Sequence, residues 1–274
     1  MSKIGIVCAL YIEAKPFIKF LKLKPIKSLS SLQLFGNDVF ELIVTGTSKT
    51  ASACGTTYLL TKNSDISTVV NIGICGSKKE NIGDIFLIKK ITDFDTKRNF
   101  YPDILIRNQT DFDIKNIITV STTLSKKDVD DSLIDMESSG FYEAASNFLN
   151  ADKIQVIKII SDNLDKEKLD SKEIESLINK HIKKIIEYII QFTENETSCF
   201  SKLEETIIIN FINKYHLTLT QKRKFKNILW SLKIQTDEDI NNILKKYLFD
   251  QAKSRKKDLS KMILENMEKN LIQF

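Results

Sequence analysis

Up to about residue 192, short apolar runs alternate with segments whose apolar residues recur every three or four positions. Residues 3–9, Lys-Ile-Gly-Ile-Val-Cys-Ala, form a run rich in β-branched residues that predicts a buried strand. Ile12, Phe17, Phe20 and Leu21 then share a helical face, with Pro16 expected in the first turn, where a missing N–H is harmless. Leu32–Phe35 and Val39–Val44 flank Gly36-Asn37-Asp38, which predicts a hairpin. Thr47–Leu60, rich in Ala, Ser and Thr, predicts a helix lying close on a sheet. Thr68–Ile72 and Ile85–Ile91 predict strands joined by a glycine-bearing turn. Ile117–Ser121, Leu133–Met136 and Gln155–Ile160 add further strands, while Ser138–Leu149 and Ser171–Phe192 are helical. In the last of these, Ile174, Leu177, Ile178, Ile182, Ile185 and Ile189 form the apolar stripe.

Strands alternating with helices point to an α/β chain, a three-layer α/β/α sandwich around a mixed sheet. The pattern changes after the polar stretch Thr193–Ser198. Only helical periodicity follows, over about 201–213, 219–233, 237–249 and 252–272, which predicts a small all-α C-terminal region. We therefore divide the chain into 1–196 and 197–274. Charge follows the same division: residues 197–274 carry 15 Lys and Arg against 9 Asp and Glu, whereas residues 1–196 carry 26 against 27.

Of the 274 residues, 42% are hydrophobic and 28% charged, the balance of a globular protein with a core. No apolar run approaches the ~20 residues of a membrane span, and the first residues lack a signal-peptide pattern, so a cytoplasmic protein without membrane partners is expected. Cys8, Cys54, Cys75 and Cys199 have no CxxC spacing, and His181 and His216 are the only histidines. Neither a metal site nor a disulfide framework is expected, and a Ser-His-Asp arrangement has little to draw on.

Candidate chemistry lies where predicted strands end. Asn71-Ile-Gly-Ile-Cys-Gly76 follows one strand, where glycine would let backbone approach a ligand, although a plain tight turn accounts for it equally. Glu13, Glu137 and Asp162 each follow another predicted strand. Singly, each fits a helix-capping role; if their strands are parallel neighbours, the three acids converge on one edge.

Taken in order, these pieces resemble the nucleoside phosphorylase/nucleosidase superfamily, most of all the 5′-methylthioadenosine/S-adenosylhomocysteine nucleosidases. The matching stretches are Ile4–Glu13, Val44–Ala51, Val70–Gly76 with Ile82–Ile85, Asp135-Met-Glu137, and Ile160-Ser-Asp162, within about residues 3–192. The resemblance implies hydrolysis of the N-glycosidic bond of a purine nucleoside, such as a 5′-substituted adenosine, with no metal or organic cofactor, in a homodimer. It implies that Asp162 protonates the base, that Ser161 orients Asp162, and that Glu13 positions and activates water. Glu137 would hold the ribose hydroxyls, Met136 would pack on the sugar, and Ile74, Cys75 and Gly76 would line the pocket. An adenine anion is a poor leaving group and the transition state is oxocarbenium-like, so the acid must hold a proton near neutrality.

A phosphorylase, the alternative enzyme, needs a site for a dianion, usually with arginine. Residues 1–196 contain only Arg98 and Arg107, and the turn Cys8–Tyr11 lacks a glycine-and-arginine phosphate loop. A nucleoside-binding regulatory module with impaired catalysis is the other alternative. Three positions depart from the family pattern: Ser125 stands near where an aromatic base-stacking residue is usual, Lys158 where arginine is common, and Ser77 in place of a second glycine. In the basic C-terminal region, Lys222–Lys226 with Trp230 and Lys253–Lys257 could serve nucleic acid, or be solvated helix faces. Phe225, Ile228, Leu229 and Leu232 share one face, which favours a core role for the aromatic residue.

Overall fold

The computed structural model describes residues 3–28, 31–103, 112–122, 131–164, 170–194, 200–215, 217, 219–236 and 238–249. The expected helix over 252–272, with the Lys253–Lys257 run, lies outside them, as do Arg107, Ser125, Cys199 and His216. The chain divides between residues 194 and 195 into two compact units.

In the first unit, β1 (Lys3–Cys8) lies between the parallel strands β4 (Phe40–Val44) and β5 (Ile66–Gly76). On the β4 side, β3 (Gln33–Gly36) and the short β2 (Lys24–Ile26) extend the sheet antiparallel. The expected hairpin joins β3 to β4: Asn37 Oδ1 accepts the N–H groups of Val39 and Phe40 at 2.9 and 2.8 Å. On the other side, β10 (Ile154–Asp162) runs parallel to β5 and antiparallel to β6 (Ile85–Asp93). From β6 the sheet continues parallel through β8 (Asp113–Thr119) to β9 (Leu133–Asp135), with β7 (Asn99–Phe100) hung on β6. The end of β5 then pairs with β9, Gly76 opposite Ile134, so this half of the mixed sheet closes on itself.

Helices cover both faces. Alternation along β1 directs Ile4, Ile6 and Cys8 to one side, with α1 (Tyr11–Phe20) and α4 (Ser171–Glu194), and Val7 to the other, with α2 (Lys49–Lys62) and α3 (Ser138–Ser146). The α4 stripe is as periodicity predicts: Ile178, Ile182, Ile185 and Ile189 are all buried. Helices α2 and α3 meet closely because Gly140 has no side chain; a Cβ there would stand 2.0 Å from the Lys49 carbonyl oxygen. This is the expected three-layer α/β/α arrangement.

Two expectations need correction, and one condition is not met. Pro16 lies inside α1, not in its first turn, because the helix begins at Tyr11. The Glu13 carboxylate makes that early start by accepting the Ala9 and Leu10 N–H groups, and Pro16 leaves the Ile12 carbonyl without its helical donor. Asn71–Gly76 is not a turn beyond a strand but the second half of β5, buried on both faces. Such strands read as continuous apolar runs, and the interrupting Asn and Gly concealed its length. Finally, β9 is not a parallel neighbour of β1 and β10; it crosses the tip of β5 antiparallel.

The second unit contains α5 (Lys202–Lys214), α6 (Leu219–Thr236) and α7 (Ile240–Phe249). Ser201 and Glu204 form a reciprocal capping box at the start of α5. Phe225 is fully buried and stacks on Phe211, 4.5 Å between ring centroids, and Ile228, Leu229 and Leu232 are buried with it. The core role expected for that face is what the unit shows. Among the described residues, no helix is long and apolar enough to cross a membrane.

Candidate active site

Strand ends and helix starts of the first unit surround a cavity of about 330 Å³. Glu13, Ile74, Cys75, Gly76, Met136, Glu137, Ser161 and Asp162 all line it. The sequence thus offers eight candidates, and the structure brings them to one place, although β9 reaches it by crossing β5.

Glu13 is held most tightly. Its Oε2 accepts the N–H groups of Ala9 and Leu10 at 3.0 and 2.8 Å, and its Oε1 accepts that of Ile74 at 2.9 Å. Approach to β5 depends on Gly73, where a Cβ would come within 2.9 Å of Oε1. Three backbone donors leave one lone pair of Oε1 unused. Burial pushes the carboxyl above the ordinary glutamate range, against the pull of those N–H groups and of Lys158.

Glu137 follows β9 at the start of α3. Its Oε1 accepts the Ser48 N–H at 3.2 Å and its Oε2 that of Met136 at 3.3 Å, so the start of α2 also shapes the site. Burial raises its pKa to about 7, with Asp135 and Glu13 adding to the rise and Lys158 and the Ser48 N–H opposing it. Asp135 lines the cavity too and is bound to Lys158, whose Nζ lies 2.8 Å from Oδ2.

Across the cavity, Asp162 ends β10. Its Oδ1 accepts the Leu164 N–H at 3.0 Å, and its Oδ2 is 2.8 Å from the Ser161 hydroxyl. That hydroxyl is also 3.2 Å from the Cys75 carbonyl. It has one proton for two acceptors, so when Asp162 carries a proton on Oδ2, Ser161 can accept it and donate to Cys75. Burial pushes the Cys75 thiol upward, which keeps it unreactive.

Ala9, Leu10, Thr47, Val120, Ile134, Leu164 and Ile174 complete the lining, none of them marked as a site residue by sequence. Apolar walls carry no chemical signature in a chain. Leu164 does carry a conformational one: at φ 59° it is in the left-handed region, where a non-glycine residue is strained. Among the described residues no Lys or Arg lines the cavity, and Arg98 instead pairs with Glu143. His181, off the site, bonds the Gly83 carbonyl through Nε2 at 2.7 Å.

No family model matches the chain, and no curated protein matches it by sequence. Its fold is similar to solved structures. One is a 5′-methylthioadenosine/S-adenosylhomocysteine nucleosidase from Helicobacter pylori with butyl-thio-DADMe-Immucillin-A, at TM-score 0.57 and 17% identity over 70% of this chain and 99% of that one. Another is futalosine hydrolase of Helicobacter pylori, at 0.54 and 16% over 71% and 98%. A third is the apo form of Arabidopsis thaliana 5′-methylthioadenosine nucleosidase, at 0.53 and 18% over 69% and 96%.

Proposed function

We propose that the chain is a nucleosidase that hydrolyses the N-glycosidic bond of a purine nucleoside, with a 5′-substituted adenosine as the substrate class. The observation that carries this is the convergence of Glu13, Glu137 and the Ser161–Asp162 pair on one cavity. In the reaction, protonated Asp162 gives its proton to the base at N7 while the bond from C1′ to the base breaks. The base leaves neutral, and positive charge develops on the sugar. Water held at the unused lone pair of Glu13 adds its oxygen to C1′ and loses a proton to that carboxylate. Glu137 accepts hydrogen bonds from the ribose hydroxyls, and Val120, Ile134, Met136 and Leu164, which pack together, offer an apolar wall.

Water as nucleophile is supported by the lining: carboxylates face the cavity and no cationic side chain among the described residues is there to receive phosphate. The test is product analysis with adenosine, 5′-methylthioadenosine, S-adenosylhomocysteine and futalosine in phosphate-free buffer. Free base and free sugar are expected. Strict dependence on phosphate, with a sugar 1-phosphate as product, would replace hydrolase by phosphorylase. Nucleoside binding with no cleavage would favour a binding module.

A further inference from the structure

One buried cation near the cavity has no part in the reaction just described. Lys158 projects from β10, is 1% exposed, and is the only buried Lys or Arg among the described residues. Its partner Asp135 is unusually well tied. Besides Lys158, Oδ2 accepts the Ser138 N–H at 2.9 Å and the Ser138 hydroxyl at 2.5 Å, and Oδ1 accepts the Thr119 hydroxyl at 2.8 Å. This carboxylate therefore joins β10, β8 and the first turn of α3, and Glu137 stands between the two tied residues. Buried ion pairs are poor sources of stability, because desolvation offsets the attraction and apolar replacements often do as well. The pair is better explained by what it orients.

We propose that Lys158 is a positioning residue for sugar recognition: acting through Asp135, it fixes the Met136–Glu137 turn so that the Glu137 carboxylate meets the vicinal hydroxyls of a bound ribose. The inference rests on the nucleosidase reading and assigns a role to a side chain that does not line the cavity. The charged groups acting on Glu137 are Lys158 from β10, Asp135 from β9 and Glu13 from α1. Asp162 lines the same cavity, α2 offers the Ser48 N–H, and the neighbouring Lys49 pairs with Asp93 and Asp95. Burial and two carboxylates favour neutral Glu137, and Lys158 is the counterweight. With Lys158 in place Glu137 titrates near 7, and without it higher.

The experiment measures equilibrium binding of two uncleavable probes to the full chain in mildly alkaline buffer. The probes are an adenosine analogue whose base is joined through carbon, and its 2′,3′-dideoxy form. Wild type is expected to prefer the ribo probe and to lose that preference as pH falls through about 7. Lys158→Met should reduce the preference roughly tenfold, the scale of a charge-assisted hydrogen bond, leave dideoxy affinity unchanged, and move the pH midpoint upward. Lys158→Arg should retain the preference. If Lys158→Met does not fold, the double variant Lys158→Met/Asp135→Asn removes both charges of the pair together. With the tie between β10 and the Met136–Glu137 turn gone, it should still lose the ribo preference; its pH midpoint is not used, because Asp135 acts on Glu137 in the opposite sense to Lys158. A Lys158→Met protein that keeps both the preference and the midpoint, or that loses both probes equally, would overturn the inference while the nucleosidase reading stands. Wild type that binds neither probe would overturn both.

Discussion

Two acids of the same cavity should answer differently to the same conservative change. Glu13 accepts three backbone N–H groups and has no use for a donor, so in Glu13→Gln the new amide must face at least one N–H group. We expect a stability loss of about 1–3 kcal/mol, the cost of a buried donor left unsatisfied, read as a lower urea midpoint. Base release should fall with it, since water would lose its acceptor. An unchanged midpoint would mean that Glu13 is less firmly held than its bonds imply. Residue chemistry of this kind was the most legible part of the sequence. Glu13, Glu137 and Asp162 advertise themselves by standing after predicted strands. Leu164 and Ile174 do not, because an apolar wall residue is indistinguishable from core until the cavity exists.

Elements were legible where periodicity was clean and obscure where pairing decided the outcome. The isoleucine stripe of α4 and the Asn37 hairpin follow from local pattern. The closing of the sheet by β9 on Gly76 does not, for it is a long-range contact made by a three-residue strand. Nor does local propensity expose the meeting of α2 and α3, which turns on the missing side chain of Gly140. Because backbone cannot yield as a flexible side chain can, Gly140→Ala should force the helices apart at a cost of about 1–3 kcal/mol. The displacement would move the Ser48 N–H away from Glu137, so KM for nucleoside should rise along with the loss of thermal stability. A variant with wild-type melting temperature and KM would show that the α2–α3 contact adjusts without reaching the site.

For the whole molecule, the change of periodicity and the excess of basic residues after residue 196 marked a second region, and the chain does divide into two units near that point. Every cavity-lining residue lies between Ala9 and Ile174, within the first unit. A chain ending at residue 196 should therefore stay folded and retain its kcat/KM, as judged by circular dichroism and base release. Insolubility or inactivity would show instead that the C-terminal helices complete the first unit.

The central claim is that this cavity protonates a nucleobase through Asp162, and Asp162→Asn tests it most directly. The substitution suits the local bonding. Asn can present its oxygen to the Leu164 N–H and its amide to the Ser161 oxygen, with Ser161 donating to the Cys75 carbonyl. Folding and nucleoside affinity should change little, whereas the amide cannot deliver a proton. With 5′-methylthioadenosine in phosphate-free buffer, kcat for adenine release should fall by roughly 10²–10⁴, the contribution of a lost general acid. Turnover by Asp162→Asn at the wild-type rate would contradict the account.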